Sequence, residues 1–173
     1  MSTAPEFVDA TVFLGMHAAD EAVRASCASY FAERVRGRIA MSLDEVGRCD
    51  DLVWSFPRAV QDAYYPFMDT LQTDVRFDRS GWSDAELARA GADSRAIGAS
   101  SRLLLAKVAA QGGTLRTLDP ALLALPDAPV RSPDPAAGER VPFPAELEEL
   151  YRRSLVLRVD LARLGGSVPC GTG

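Results

Sequence analysis

The hydrophobic residues of the chain fall into two patterns, short continuous runs and stretches in which they repeat at helical spacing. The run from Phe7 to Leu14 is interrupted only by Asp9 and Thr11. Such a nearly continuous run predicts a strand that is buried on both faces. Between residues 18 and 36 the apolar positions repeat at helical spacing, and Gly37 ends this predicted helix.

Strand and helix signals continue to alternate along the chain, which predicts a three-layer α/β/α fold with a central, mostly parallel sheet. Ser42 and Glu45 have the S-x-x-E spacing of a reciprocal capping box at a helix start. Asp93 is predicted to lie just before or within the first turn of a helix that ends at Gly112 and Gly113. The other predicted elements are a strand at 38–41, a helical pair that Pro66 kinks or restarts, a strand at 74–77, a capped helix start at 83–86 and a strand at 114–118 before Asp119.

The chain of 173 residues is long enough for one domain but short for two. We assign residues 1–125 to the α/β domain and residues 126–144, which hold six prolines, to a surface loop. The segment from Ala145 to Leu164 predicts an amphipathic helix that either docks on the domain or meets a partner. Residues 165–173 are glycine-rich and are predicted to form a flexible tail.

The overall charge changes what can be expected of partners. A formal charge of -5 and a pI of about 4.9 have the wrong sign for a protein that binds nucleic acid mainly by neutralising phosphates. The sequence lacks the roughly 20 consecutive apolar residues of a membrane span. It also lacks a basic start followed by a long apolar run, so no secretory signal is indicated and we expect a cytoplasmic protein.

The histidine and cysteine content narrows the chemistry further. His17 is the single histidine, which argues against most histidine-based mechanisms, and we interpret it as a structural or surface residue. Cys27, Cys49 and Cys170 are an odd set without a CxxC pair, which argues against a disulfide framework and a zinc ribbon. The first two are predicted to be small buried groups and the third a thiol in the tail.

Acidic residues stand where the predicted parallel sheet would bind a ligand. Asp9 lies in the first predicted strand, Glu45 follows the second, Asp93 opens a late helix and Asp119 ends the strand after it. Parallel sheets bind ligands beyond the carboxyl ends of their strands, so these four acids are the candidate site. Clustered carboxylates repel one another, and a hard divalent cation with oxygen ligands relieves that repulsion.

Four short motifs in the same order make the chain resemble the PIN-domain nucleases. They are FVDAT around Asp9, IAMSLDEV around Glu45, DSRAIGAS beginning at Asp93 and LRTLD ending at Asp119. The resemblance covers roughly residues 6–125. It implies a PIN-like α/β/α fold in which these carboxylates converge on one Mg²⁺ or Mn²⁺ site.

The resemblance also implies an activity, the hydrolysis of RNA by a toxin-like or regulatory endoribonuclease. Asp9 and Asp93 would be direct metal ligands, and Glu45 and Asp119 would complete the site directly or through water. Thr11 and Thr117 would hold the carboxylates by hydrogen bonds. Because related PIN proteins commonly form dimers, a homodimer is expected, and the Ala145 to Leu164 helix offers a further surface for a protein partner.

Rival interpretations stay open at this point. Glu45 could serve only in the capping box, and Asp119 only in a turn before Pro120. The whole protein could be a PIN-like binding or assembly partner without nuclease activity, or a metalloenzyme acting on a small phosphorylated substrate. An RNA nuclease should concentrate basic side chains around the acidic pocket, and the candidates are Arg24, Arg48, Arg95 and Arg102.

Overall fold

All strands of the central sheet are parallel, and their order is β3-β2-β1-β4-β5. The computed structural model describes residues 4–164. The strands are β1 (Glu6–Val8), β2 (Arg38–Ser42), β3 (Arg76–Ser80), β4 (Thr114–Arg116) and β5 (Val130–Arg131). Because the sheet is parallel and covered by helices, the predicted α/β class is confirmed.

Helices flank both faces of the sheet. They are α1 (Ala10–Gly15), α2 (Glu21–Ala32), α3 (Leu43–Trp54), α4 (Arg58–Asp74), α5 (Asp84–Ala92), α6 (Ala99–Ala110), α7 (Pro120–Leu123), α8 (Ala145–Ser154) and a short 3₁₀ helix (Leu161–Arg163). Successive strand residues face opposite layers. Phe7 belongs to a core cluster with α6 and α7, whereas Val8 belongs to the larger cluster with the first four helices and α8. No helix within residues 4–164 is long and apolar enough to cross a membrane.

The chain reverses its direction across the sheet at β1. Phe7 pairs with Ala40 of β2 on one side and with Leu115 of β4 on the other. After β1 the chain builds β2 and β3 outward, and it then returns to place β4 on the opposite side of β1. In parallel sheets such a switch point leaves a crevice at the carboxyl ends of the two adjacent strands. The crevice here lies beyond β1 and β4.

The pattern predicted that the first apolar run forms one long strand, and this prediction is wrong. The strand ends at Val8, and Asp9 is the N-cap of α1, with its carboxylate accepting a hydrogen bond from the Val12 amide. All six residues of α1 are buried, so the helix shows no polar face. A short apolar run looks the same whether it is a buried strand or a buried helix, and only the cap distinguishes them.

Asp93 does not open a helix. It ends α5, with its amide donating to the Ala90 carbonyl oxygen, and α6 begins only at Ala99. The Asp93 carboxylate accepts a hydrogen bond from the Arg95 amide at 3.0 Å, which closes a local turn. Such a side-chain to backbone bond competes with helix formation, so the second predicted helix begins at Ala99 and not at Asp93.

Two predicted boundaries near the carboxyl end also differ. The proline-rich segment contributes the edge strand β5, a position in which flanking prolines are tolerated. Helix α8 ends at Ser154 and not at Leu164, because the chain then becomes extended. It forms a parallel bridge to the residues that follow α1. The Val159 amide donates to the His17 carbonyl oxygen at 2.9 Å, and Ala18 and Val159 form the bridge. The predicted flexible tail lies outside the described residues.

Helix α8 docks on the domain itself, which answers one of the alternatives left by the sequence. It packs mainly against α4, and its Leu147 and Tyr151 side chains are buried. The Tyr151 hydroxyl donates to the Met16 carbonyl oxygen at 2.8 Å, and the Tyr151 ring contacts Phe67 and Phe143. The apolar face of α8 is therefore part of the main core.

We predict that Tyr151→Phe lowers the free energy of unfolding by about 1–2 kcal/mol, because it leaves the buried Met16 carbonyl oxygen without this donor. Urea denaturation followed by circular dichroism measures the change. Arg153→Ala is the matched control on the same helix, since Arg153 forms an exposed ion pair with Glu149 and should change stability by less than about 0.5 kcal/mol. Equal effects of the two variants would contradict a docked α8.

Candidate active site

Asp9 occupies the carboxyl end of β1 and is only 2% exposed. Its Oδ1 accepts hydrogen bonds from the Thr11 hydroxyl at 2.5 Å and from the Val12 amide at 3.2 Å. Its Oδ2 accepts a hydrogen bond from the Thr117 hydroxyl. Each oxygen of this buried carboxylate is therefore held by a hydrogen bond from a threonine hydroxyl.

The two threonines also connect β1 to the segment that follows β4. The Thr11 hydroxyl accepts from the Leu118 amide at 2.8 Å, and the Thr117 hydroxyl accepts from the Asp119 amide at 3.0 Å. Thr11 and Thr117 are the residues that the sequence analysis assigned to hold carboxylates. In the structure both act on Asp9, and through their backbone contacts they set the position of Asp119.

Glu45 lies in the first turn of α3 and is 2% exposed. The Ser42 hydroxyl accepts from the Glu45 amide, as a capping residue does. The Glu45 carboxylate does not complete the capping box, because its Oε2 accepts from the Ala10 amide at 2.7 Å. Its oxygens also accept from Arg48 Nη1 at 2.8 and 3.1 Å. Glu45 thus reaches across to the residue next to Asp9.

The proximity of these two acids changes the ionisation of Asp9. Burial, together with the negative charge of Glu45, raises the Asp9 pKa to about 6. The hydrogen bonds from the two threonine hydroxyls and from the Val12 amide act in the opposite direction but only partly offset the burial. At neutral pH the site therefore carries a negative charge that is only partly compensated, and groups with such perturbed pKa values are concentrated at functional sites.

A cavity of about 580 Å³ is lined by Arg48, the ion-pair partner of Glu45. Asp119 and Arg48 line one part of it, and the first turn of α6, including Ser100 and Ser101, lines another. Asp119 is the N-cap of α7, with its carboxylate accepting from the Ala121 amide at 2.9 Å. It therefore has the turn role foreseen for it before Pro120, and the residue also lines the cavity.

Asp93 lies elsewhere. Its carboxylate forms an ion pair and hydrogen bonds with Arg95, and these lower the Asp93 pKa to about 2. It lines a second cavity of about 570 Å³, between α5, α6 and the loop that precedes β5, together with Arg89 and Asp127. The helix start that the sequence analysis associated with Asp93 carries Ser100 and Ser101 at the candidate site instead.

The four predicted acids therefore do not form one cluster. Within residues 4–164, no group of three or more acidic, histidine or cysteine side chains is arranged to hold a metal ion. Asp9 and Glu45 are brought together, Asp119 faces the adjoining cavity, and Asp93 is diverted by Arg95. The predicted convergence of all four is replaced by a buried pair with one acid nearby.

The arginines are also dispersed. Of the four arginines expected around an RNA site, Arg48 lines the cavity, whereas Arg24 donates to backbone carbonyls just before α2. Arg95 pairs with Asp93, and Arg102 donates to the Asp93 carbonyl oxygen. This distribution weakens the case for a long polyanionic substrate.

Sequence reasoning missed Arg48 as the partner of Glu45, and it missed the two serines. Arg48 stands three residues after Glu45, and that spacing on a helix is a signal for an ion pair. Ser100 and Ser101 carry no comparable signal, because their position depends on where α6 begins.

His17 and the two described cysteines have structural surroundings. His17 is fully buried among Tyr64, Phe67 and Tyr151, and burial lowers its pKa to about 3, so it is neutral at physiological pH. Cys27 and Cys49 are buried free thiols whose pKa values are raised by burial. The two thiols therefore lack the thiolate form that a cysteine nucleophile needs, and a histidine with so low a pKa is a weak base for proton transfer.

Comparison with known proteins adds a family without an assigned activity. A model of a family of unknown function, DUF6190, matches residues 1–164. No curated protein matches the sequence.

We predict that the metal-free protein loses stability through Asp9 as the pH rises from about 4 to 7, because the folded pKa of about 6 exceeds the ordinary aspartate value of 3.8. Asp9→Asn does not titrate. Its free energy of unfolding relative to wild type should therefore increase by roughly 2–3 kcal/mol over this interval. Denaturant titrations of both proteins at several pH values, in the presence of a chelator, measure the difference. A difference in stability that does not change with pH would contradict a buried Asp9 carboxyl group with a raised pKa.

Proposed function

The chain belongs to DUF6190, a family of unknown function, and we propose that it is a Mg²⁺- or Mn²⁺-dependent phosphodiesterase of the PIN type that hydrolyses RNA. Asp9 and Glu45 would hold the ion, and Asp119 would act from the cavity wall. Asp93 is not part of the proposed set, because Arg95 already neutralises it at another cavity.

The buried pair of Asp9 and Glu45 carries this proposal. Two carboxylates at 2% exposure, of which one has a pKa raised to about 6, are costly to a folded protein. They lie at the crevice of a parallel sheet, and Arg48, the partner of Glu45, lines a cavity large enough for a nucleotide-sized group. A site that concentrates this unfavourable charge where ligands bind is better explained by a cation than by packing.

The donor set fits Mg²⁺ or Mn²⁺. Hard divalent cations prefer carboxylate oxygens, and Mg²⁺ is usually held by one or two carboxylates with water and substrate phosphate completing the shell. Asp9 and Glu45 provide that pair, so a third acidic ligand is not required. When bound, the ion would lower the pKa of the attacking water and stabilise the charge that develops on the phosphoryl oxygens.

The chain's own residues would position the reacting groups. Thr11 and Thr117 prevent the Asp9 carboxylate from rotating, because each oxygen accepts from one of them. The first turn of α6, with Ser100 and Ser101, lines the cavity, and the amides and hydroxyls of a helix start suit a phosphate oxygen. Asp119 can hold a water through its carboxylate at the same cavity wall.

A second candidate function, a PIN-like binding or assembly protein without nuclease activity, is favoured by Arg48. Its guanidinium forms an ion pair with Glu45 and neutralises that carboxylate. The dispersed arginines favour the same alternative, and equally a small phosphorylated substrate, which needs fewer basic contacts than RNA. Both alternatives predict that the protein does not cleave RNA, whereas a nuclease does.

The test combines metal binding with cleavage. Calorimetry measures Mn²⁺ binding by the purified chain and by Asp9→Asn, and the same samples are incubated with a mixed pool of single-stranded RNA and Mn²⁺. We expect the wild type to bind and cleave. Asp9→Asn should lose binding, and cleavage should fall about 100-fold or more, because the ion contributes several kcal/mol of charge stabilisation.

Asp93→Asn is the matched control, since it removes an acid of the predicted set that lies at the other cavity. It should bind Mn²⁺ and cleave like the wild type. Binding of Mn²⁺ without RNA cleavage would select the binding role or, if a small phosphodiester is hydrolysed, the small substrate. Cleavage by Asp9→Asn at the wild-type rate would reject the site.

A further inference from the structure

Arg48 contacts two parts of the molecule at once. Its Nη1 donates to both oxygens of Glu45, and its Nη2 donates to the Leu164 carbonyl oxygen. The Arg48 side chain is 36% exposed and lines the cavity, whereas the Glu45 side chain is 3% exposed. Of the two partners, Arg48 is therefore the one that can move away towards solvent.

Arg48 and a divalent cation cannot easily share Glu45. Glu45 Oε2 already accepts from the Ala10 amide, and Arg48 uses both carboxylate oxygens. A second cation at the same oxygens would meet the positive guanidinium at close range, and like charges in a partly buried site repel strongly. Binding of a metal ion at Glu45 therefore requires Arg48 to leave.

The segment that holds Arg48 from the other side is the carboxyl-terminal turn, residues 160–164. Asp160 caps this turn by accepting from the Ala162 amide at 3.0 Å, and the turn includes the short 3₁₀ helix. The Leu164 side chain is buried in the main core. Arg163 lies over the ring of Phe56, just beyond α3, with its guanidinium carbon 6.0 Å from the ring centre.

We propose that Arg48 is a built-in counter-ion that competes with a divalent cation for Glu45, and that the carboxyl-terminal turn favours the closed state by holding the Arg48 guanidinium. This inference rests on the proposed metal site. It adds a regulatory contact: movement of the turn away from Arg48 frees the arginine, and the freed arginine exposes Glu45. In that open state the guanidinium also becomes free to contact a phosphate in the cavity.

The test is a double-mutant cycle on Mn²⁺ affinity, measured by calorimetry on the full chain. Arg48→Met removes the charge and keeps most of the apolar stem, and it should tighten Mn²⁺ binding about tenfold, the size expected for loss of a partly buried charge competitor. Leu164→Ala loosens the turn and should tighten binding by a smaller factor. In the Arg48→Met background, Leu164→Ala should have no further effect, because the turn acts through Arg48.

Arg152→Met is the control for removal of one positive charge. Arg152 is an exposed residue of α8 whose partner is Glu148, so its loss should leave the Mn²⁺ affinity almost unchanged. Because removing the partner of a buried carboxylate can prevent folding, Arg48→Gln, which keeps a donor without the charge, is measured in parallel. It should tighten Mn²⁺ binding in the same direction.

The outcomes separate this inference from the function on which it rests. Mn²⁺ binding that Asp9→Asn abolishes and that Arg48→Met and Arg48→Gln leave unchanged would keep the metal site and overturn the counter-ion. An equal effect of Leu164→Ala in both backgrounds would overturn the role of the turn. No binding by any variant would overturn both the inference and the proposed metal site.

Discussion

The fold around the crevice depends on the burial of one carboxylate, that of Asp9. It ends β1, caps α1 and accepts hydroxyl hydrogen bonds from both sides of the crevice, through Thr11 and Thr117. The hydroxyls of the same threonines accept hydrogen bonds from backbone amides of the segment after β4. The end of β1, the start of α1 and the turn after β4 are therefore joined in one hydrogen-bond network. An uncompensated charge in such a place would be unfavourable, and the network reduces that cost without removing it.

The remaining cost explains why the surroundings of Asp9 matter for function. The Glu45 carboxylate is turned towards Asp9 by its bond to the Ala10 amide, although a capping role at its own helix start was available to it. Arg48 supplies one positive charge for two acids, and it does so from a half-exposed position beside the cavity. Asp9, Glu45 and Arg48 together therefore carry one net negative charge. Among the described residues Arg48 is the adjacent counter-ion of the pair, and it contacts the carboxyl-terminal turn.

A parallel α/β sheet with acids at its crevice does not by itself establish an activity. The acid pair and the cavity support phosphodiester chemistry. The dispersed arginines and the pairing of Glu45 with Arg48 support an activity that is restrained, or a function other than RNA cleavage. These observations are compatible if the acids are kept closed until the turn moves.

The sequence alone determined the alternation of strands and helices and therefore the α/β class, because hydrophobic periodicity reflects which faces are buried. It also marked Asp9 and Glu45, since acids in or after predicted strands are visible without coordinates, and the resemblance to the PIN-domain nucleases added the two threonines. Only the tertiary structure decided which acids meet. Asp93 was turned aside by a local bond to the Arg95 amide, and α8 was cut short by a bridge between residues far apart in the chain. Competition between local turns and long-range pairing is settled by packing, and one-dimensional spacing does not contain that information.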